Sequence, residues 1–204
     1  AIAFSRNVSN YWVLALMYEW NGVWTETIID NNPNSAHNPS IAIDRFGAVH
    51  IAYIDTDNDI LRYATNASGQ WVLTSLGSAT YDNDNHRGTA IVIHPVTNAV
   101  HIVTSTNDNA YRDLIHHTDE TGSWVNTTIT NTLSDEGHDP VMAMDSNGNI
   151  HVAYYCDDGC SDLRMSSRIN GVWQNETIAG NVATSGSNWN VGAQPDIAID
   201  SQDT

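Results

Sequence analysis

The sequence predicts an all-β fold, a four-bladed β-propeller with four antiparallel strands in each blade. The first observation is an internal repeat, in which a Leu is followed ten residues later by a Trp four times, at Leu14 and Trp24, Leu61 and Trp71, Leu114 and Trp124, and Leu163 and Trp173. The Trp residues follow one another at intervals of 47, 53 and 49 residues, the length of a propeller blade. The second observation is that short apolar runs alternate with turn-forming residues, as in small antiparallel sheets.

One repeat shows the pattern of a blade. Two short apolar strands, Ser40–Ile43 and Val49–Tyr53, are separated by a turn. The polar hairpin Asp55–Asp59 leads to a third strand at Leu61–Ala64, and the fourth strand begins at Trp71. The Trp recurs at one structural position, so we expect it to pack between neighbouring blades.

The whole chain, residues 1–204, is predicted to form a single propeller domain. Three complete blades occupy residues 37–76, 86–130 and 138–179. The fourth combines residues 193–204, with Pro195–Asp200 as its first strand, and residues 1–29, which supply the other three. A blade shared between the N- and C-termini closes the ring and removes an open sheet edge.

Two segments, Ile43–Tyr53 and Met144–Tyr154, resemble the turn between the first two strands of sialidase-like propeller repeats of the BNR or Asp-box type. The resemblance extends as a pattern over all four blades and implies the propeller fold. The Ser before the Asp and the aromatic residue after the Gly of a true Asp-box are not in place. We therefore assign no residue of this chain to a sialidase arginine triad.

Charge excludes one class of partner. The chain contains 24 Asp and Glu but only 7 basic residues, all Arg, for a net charge of −17, so we expect no nucleic-acid partner. The apolar runs are far shorter than the about 18 residues of a membrane-spanning helix, so no transmembrane segment is predicted. The oligomeric state is not predicted.

The two cysteines predict a disulfide and, with it, the compartment. Cys156 and Cys160 flank a tight turn, across which their Cα atoms can reach the about 5.5 Å that a disulfide needs. Disulfides persist in oxidising compartments. Four Asn-x-Ser/Thr sequons fit the same compartment, at Asn7, Asn66, Asn126 and Asn175. We therefore expect a secreted, extracellular protein.

Two sets of histidines recur with the repeat. The first set lies just before the first strands, at His37, His86 and His138. These three imidazoles would suit a zinc-type metal site around the axis, or each ring caps its own loop. The second set lies within the second strands and is interpreted as structural, at His50, His101 and His151. No cofactor is assigned with certainty, and Ca²⁺ or another ion in the central channel is the open candidate.

The candidate ligand-binding residues lie where the repeat is broken or in the loops of one face. They are two aromatic residues in long connections, one aromatic residue beside a third strand, and polar residues of the hairpins: Trp189, Tyr81, Trp12, Asp57, Asn107 and Asp157. Asn and Asp bind sugar hydroxyls, and an exposed aromatic ring covers the apolar face of a sugar.

We therefore predict an extracellular binding module that recognises a glycan or another cell-surface ligand through its Asp-, Asn- and His-rich loop face. Two alternatives remain open at this point. One is a glycoside hydrolase or polysaccharide lyase of sialidase-like architecture, which needs two carboxylates in one cleft. The other is a structural or interaction propeller without a small-molecule ligand. No catalytic residue is assigned.

Overall fold

The computed structural model describes most of the chain. The described stretches are residues 1–79, 88–108, 111–132, 135–156, 160–180, 194–200 and 202–203, with only the backbone described for residues 106–108 and 111. Their regular structure is β-strand throughout, which confirms the all-β prediction. The described residues include no helix that could span a membrane.

Four antiparallel sheets follow one another along the chain, each a simple meander. Sheet I has three strands, β1 (Ile2–Val8), β2 (Tyr11–Trp20) and β3 (Val23–Asp30). Sheet II contains β4 (His37–Ile43), β5 (Val49–Asp55), β6 (Ile60–Thr65) and β7 (Val72–Ser78). Sheet III contains β8 (Thr89–Ile93), β9 (Val100–Asp108), β10 (Tyr111–Thr118) and β11 (Val125–Thr128). Sheet IV contains β12 (His138–Met144), β13 (Ile150–Cys156), β14 (Asp162–Ile169) and β15 (Val172–Ala179).

An Asp organises the turn between the first two strands of sheets II and IV. In sheet II, Asp44 Oδ1 accepts hydrogen bonds from the backbone N–H groups of Phe46 at 2.9 Å and Ala48 at 2.8 Å. Asp145 accepts two equivalent bonds, at 2.9 and 2.8 Å, between β12 and β13. Side-chain carboxylates form such turns by replacing backbone acceptors. The segments that resemble Asp-box repeats therefore serve here to set the angle between two strands.

The core lies between neighbouring sheets rather than at one centre. Its three clusters join sheets I and II, sheets II and III, and sheets III and IV. The repeated Leu of the third strands is fully buried in each of them, at Leu14, Leu61 and Leu114. Alternation along each strand sends one set of side chains to the preceding sheet and the other set to the following sheet.

Three of the four repeated Trp residues pack between sheets as predicted. Trp71 packs against the cluster of sheets I and II, Trp124 against that of sheets II and III, and Trp173 against that of sheets III and IV. Trp24 is different, because it is 51% exposed. Sheet I is the first of the series, and no preceding sheet covers this ring among the described residues.

The four sheets form an arc, which is consistent with a four-bladed propeller. First strands line the inner side of the arc, where β4 packs against β8 and β8 against β12, while β1 packs against β4. No comparable packing joins β12 to β1 within the described stretches, so ring closure is not shown.

The C-terminal segment differs from its prediction. Residues Pro195–Asp200 were expected to form the first strand of the fourth blade, but they adopt no strand in the structure. Close to them, Asp203 accepts a hydrogen bond from the backbone N–H of Ser146 at 2.8 Å. This contact lies at the β12–β13 turn of sheet IV, and β1, with which a first strand would pair, belongs to sheet I. Sheet I accordingly has three strands.

Candidate functional site

Two kinds of loop meet at one end of the sheets, as the repeat predicts. The β3–β4 connection meets the β1–β2 hairpin, because the backbone N–H of Trp12 donates to Asn34 Oδ1 at 3.3 Å. The same connection meets the β5–β6 hairpin, because Asn34 Nδ2 donates to Asp57 Oδ1 at 3.0 Å. We call this end of the molecule the loop face.

The loop face of sheets I and II gathers three of the predicted site residues. The rings of Trp12 and His37 meet edge to face, with centroids 6.2 Å apart and an interplanar angle of 67°. Asp57 is exposed and is held by Asn34, which also fixes the backbone of Trp12. The indole of Trp12 remains 40% exposed. We call these four residues, Trp12, Asn34, His37 and Asp57, the Trp12 cluster.

Asn34 is the residue that the sequence interpretation missed. It lies in the left-handed region with φ of 49°, a conformation in which Asn is enriched. The run Asn31-Asn32-Pro33-Asn34 was visible as a polar connection. Sequence alone does not say which of its amides reaches the hairpin of the next sheet, because that depends on how the two sheets pack.

Two buried carboxylates lie at the ends of the strands that lead into the Trp12 cluster, Asp30 in β3 and Asp55 in β5. Asp30 Oδ2 accepts the hydroxyl of Tyr53 at 3.0 Å, and burial raises the pKa of this tyrosine far above its usual range, so it remains a donor. Asp55 accepts Arg62 Nε at 2.8 Å. Both carboxylates are only 1% exposed. These bonds hold the ends of β3 and β5, after which Asn34 and Asp57 follow in the chain.

Partial burial favours the neutral form of the imidazole in the cluster. Partial burial lowers the pKa of His37, and the nearby Asp57 carboxylate only partly opposes this effect. A neutral imidazole has one donor and one acceptor nitrogen. The Trp12 cluster therefore offers an exposed aromatic surface with a carboxylate, an amide and a neutral imidazole around it.

An equivalent cluster lies between sheets III and IV. Arg112 occupies the position of Trp12, two residues before a buried Leu, and its backbone N–H donates to Asp135 Oδ1 at 3.0 Å. Arg112 Nη1 also donates to Asp135 Oδ2 at 2.7 Å and to His138 Nε2 at 2.9 Å. We call these three residues the Arg112 cluster. Arg112 is 8% exposed and His138 is 1% exposed, so this cluster is sealed.

Two further contacts seal the Arg112 cluster. The ring of His138 meets that of Tyr155 edge to face at 6.0 Å. Glu136, which is 1% exposed, forms an ion pair with Arg164. The predicted disulfide between Cys156 and Cys160 is confirmed, with Cα atoms 5.8 Å apart, and it follows β13 directly after Tyr155.

Several predicted site residues lie outside the described residues or are described only in part. Those outside are Tyr81, His86, Asp157 and Trp189. The backbone of Asn107 pairs with that of Arg112 across β9 and β10. The three-histidine metal site stays a prediction, since His86 belongs to this group. Within the described stretches no three His, Cys, Asp or Glu side chains gather in a way that could hold a metal ion.

The histidines of the second strands have structural partners, as the sequence interpretation proposed. His50 Nδ1 pairs with the hydroxyl of Tyr63 at 2.5 Å, and His151 Nδ1 pairs with Ser167 Oγ at 3.0 Å. His101 instead pairs with a second imidazole, that of His116, with 3.0 Å between the two nitrogens. Each ring thus has a polar partner within its own sheet.

Comparison with known proteins concerns the fold. The sequence matches no family model and no curated protein. The structure resembles a mutant of the Aleuria aurantia lectin in complex with Fucα1-6GlcNAc, with a TM-score of 0.62 and 18% identity over 91% of this chain and 58% of the lectin. It also resembles an α-L-arabinofuranosidase from Fusarium graminearum bound to an iminosugar inhibitor, with a TM-score of 0.52 and 14% identity over 89% of this chain and 67% of the enzyme.

A third similar structure is a protein of unknown function from Dyadobacter fermentans, with a TM-score of 0.58 and 9% identity over 84% of this chain and 60% of that one. The chain thus spans about 58% of the length of the lectin. These likenesses establish a fold shared with lectins and glycosidases. No family model matches the chain, so the resemblance of its repeats to the sialidase type is not confirmed.

Proposed function

We propose that the chain is a carbohydrate-binding module that holds a sugar at the Trp12 cluster. The observation that carries this proposal is the convergence of the exposed Trp12 with Asn34, His37 and Asp57. An aromatic ring covers the apolar face of a pyranose or furanose ring, and the amide, imidazole and carboxylate pair with its hydroxyls.

The charge of the chain favours a neutral sugar. The net charge is −17, and Asp57 adds an exposed carboxylate within the cluster itself. Sialylated, sulfated or uronic-acid glycans would meet repulsion there, because like charges disfavour association. The Arg residues that could attract an anion in the neighbouring clusters are already paired, Arg112 with Asp135 and Arg62 with Asp55.

The comparisons support this proposal through the fold. The lectin is bound to a fucose-containing disaccharide and the arabinofuranosidase to an iminosugar, so the shared architecture is one on which sugar sites are built. The disulfide supports an extracellular location, since such bonds persist in oxidising compartments.

Hydrolysis has less support than binding. A glycoside hydrolase needs two carboxyl groups about 5 to 10 Å apart across a cleft. In the described part of the loop face, the buried carboxylates Asp55 and Glu136 are each engaged by an arginine, Arg62 and Arg164. Such ion pairs hold the loops in place. The hydrolase alternative therefore remains a prediction from the sequence.

The test is a binding screen of the whole chain against neutral and anionic oligosaccharides, followed by titration calorimetry. We expect binding to neutral sugars, with loss of that binding in Trp12→Ala. Trp20→Ala is the matched control, because Trp20 is 73% exposed at the other end of the same strand and should bind as the wild type does. Absence of binding to every glycan, or equal binding by both variants, would refute the proposal.

A further inference from the structure

The interfaces between sheets are built on one recurring contact. A Trp at the start of the fourth strand of one sheet packs against the preceding sheet, near a residue that lies two positions after the repeated Leu. The ring of Trp124 meets Tyr63 edge to face at 5.0 Å, and that of Trp173 meets His116 at 5.3 Å. Trp71 packs against the cluster that contains Leu16. Leu16, Tyr63 and His116 each lie two residues after the repeated Leu.

Sheet I presents the Trp half of this contact without a partner among the described residues. Trp24 is 51% exposed, and Ile2 is 54% exposed. Trp24 pairs with Glu19, and Ile2 with Met17, so strand alternation puts both on one face. That face is the one turned away from sheet II, since Leu16 lies on the other. We call it the Trp24 face.

Sheet IV presents the complementary half. Met165 lies two residues after Leu163, in the position of Tyr63 and His116. It lines a cavity of about 350 Å³ together with His151, Ser167, Ile169, Gln174 and Glu176. This volume lies at the lower end of the range of ligand pockets in proteins, about 300 to 1,000 Å³. On sheets I, II and III the corresponding place is filled by the Trp of the following sheet, that is Trp71, Trp124 and Trp173.

We propose that the Trp24 face of one copy of this chain docks into the Met165 cavity of a second copy, head to tail. The occupant is a second copy because both halves of the contact belong to this chain, at opposite ends of the arc. The same type of interface occurs three times within the chain, between sheets I and II, II and III, and III and IV. A large buried aromatic seated in a pocket is the usual energetic anchor of such contacts.

The contact is heterologous, since two different surfaces meet. One copy can therefore bind a partner at each end, and assembly ends only when a ring closes. The net charge of −17 opposes association at low ionic strength, so assembly should strengthen as salt is raised.

The test is sedimentation velocity of the whole chain over a wide concentration range, at about 0.15 M and about 1 M salt. We expect reversible association that increases with concentration and salt. Trp24→Glu and Met165→Glu should each be monomeric alone, because each lacks one half of the contact. Trp20→Glu changes an exposed Trp outside the Trp24 face and should associate as the wild type does.

Mixing the two monomeric variants separates docking from misfolding. Each variant keeps the half that the other has lost, so an equimolar mixture should form a heterodimer and nothing larger. A mixture that stays monomeric would overturn the proposal, as would Trp24→Glu that associates like the wild type. A wild-type chain that is monomeric at every concentration would also overturn it and would favour closure of the ring within one chain. None of these outcomes depends on sugar binding.

Discussion

Strands β2 and β10 occupy the same place in sheets I and III, yet they carry different chemistry. In both strands the second residue donates its backbone N–H to a side chain of a later connection, Trp12 to Asn34 and Arg112 to Asp135. Trp12 remains 40% exposed, whereas Arg112 is 8% exposed and its guanidinium bonds to Asp135 and His138. The repeat thus fixes the backbone geometry of each junction, by which we mean the Trp12 cluster between sheets I and II or the Arg112 cluster between sheets III and IV. The side chain decides whether the junction is open to a ligand or sealed.

The difference continues along both strands. Where β2 has Leu16 and Met17, β10 has His116 and His117, both buried. Burial lowers the pKa of His116 to about 3, with a further lowering from His101, and that of His117 to about 4. The packing of β10 therefore favours neutral imidazoles at these two positions, where β2 has apolar side chains. The comparison separates a junction suited to binding from one suited to stability.

The largest effect should come from breaking the sealed junction. Arg112→Met leaves Asp135 and His138 without the guanidinium that bonds both of them. Loss of one partner of a buried ion pair costs about 3 to 5 kcal/mol. We expect the free energy of unfolding, from urea titration, to fall by about that amount, with sugar binding at the remaining folded protein unchanged.

The control for this change is Arg6→Met. Arg6 forms an ion pair with Glu26 at 2.8 Å, but this pair lies on the surface. Exposed pairs contribute about 0 to 1 kcal/mol, so the variant should be nearly as stable as the wild type. Equal losses in both variants would show that the Arg112 cluster has no special role.

The second-largest effect concerns the stability of the protein at acidic pH. The folded pKa of His117 is about 4, against 6.5 for the unfolded chain, so the unfolded state binds the extra proton between these values. Stability is therefore lost as the pH falls from 6.5 to about 4. For this one ring the loss reaches roughly 3 kcal/mol. We expect His117→Gln to remove about that much of the acid sensitivity, measured by urea titration from pH 7 to pH 4.

His37→Gln provides the comparison from sheet II. The imidazole of His37 is half-buried, and the Asp57 carboxylate partly offsets the effect of burial on its pKa. Removal of this imidazole should therefore change the pH dependence of the free energy of unfolding less. The prediction fails when the slopes of wild type and His117→Gln coincide over this range.

A smaller effect should follow from converting the open junction into a sealed one. The double variant Trp12→Arg, Asn34→Asp reproduces the Arg, Asp and His trio of the Arg112 cluster on the backbone of the Trp12 cluster. We expect sugar affinity to fall by at least tenfold, about 1.4 kcal/mol or more, since the aromatic surface is lost. Stability by urea titration should change by less than about 1 kcal/mol. Retained affinity, measured by calorimetry, would show that the sugar does not use Trp12.

The sequence predicted the fold to the extent that the fold is periodic. The Leu and Trp spacing identified sheets whose third strands bury Leu14, Leu61 and Leu114, and the three inner Trp residues pack as predicted. It did not predict the C-terminal segment Pro195–Asp200, because a strand there requires a neighbour from the other end of the chain. Whether two distant ends meet depends on the twist between successive sheets, which no local pattern records.

Part of the proposed site follows from residue type, and packing supplies the rest. Trp12 and Asp57 were candidates because an aromatic ring and a carboxylate suit a sugar, whereas His37 was a candidate metal ligand. Their convergence depends on Asn34, whose amide bridges two hairpins, and this role is visible only once the sheets are side by side. Asp135 has the corresponding role at Arg112, so one repeated backbone contact would have located both clusters.

The smallest effect should come from Asn34→Asp alone. The new carboxylate still accepts the N–H of Trp12, but it no longer donates to Asp57 Oδ1, at present 3.0 Å away. Two carboxylates at that distance repel each other, and one lost hydrogen bond costs about 1 kcal/mol. We expect sugar affinity at pH 7 to fall about fivefold. Calorimetry at pH 7 tests this, and an unchanged affinity would mean that Asp57 needs no support from Asn34, so that the Trp12 cluster is held by its backbone alone.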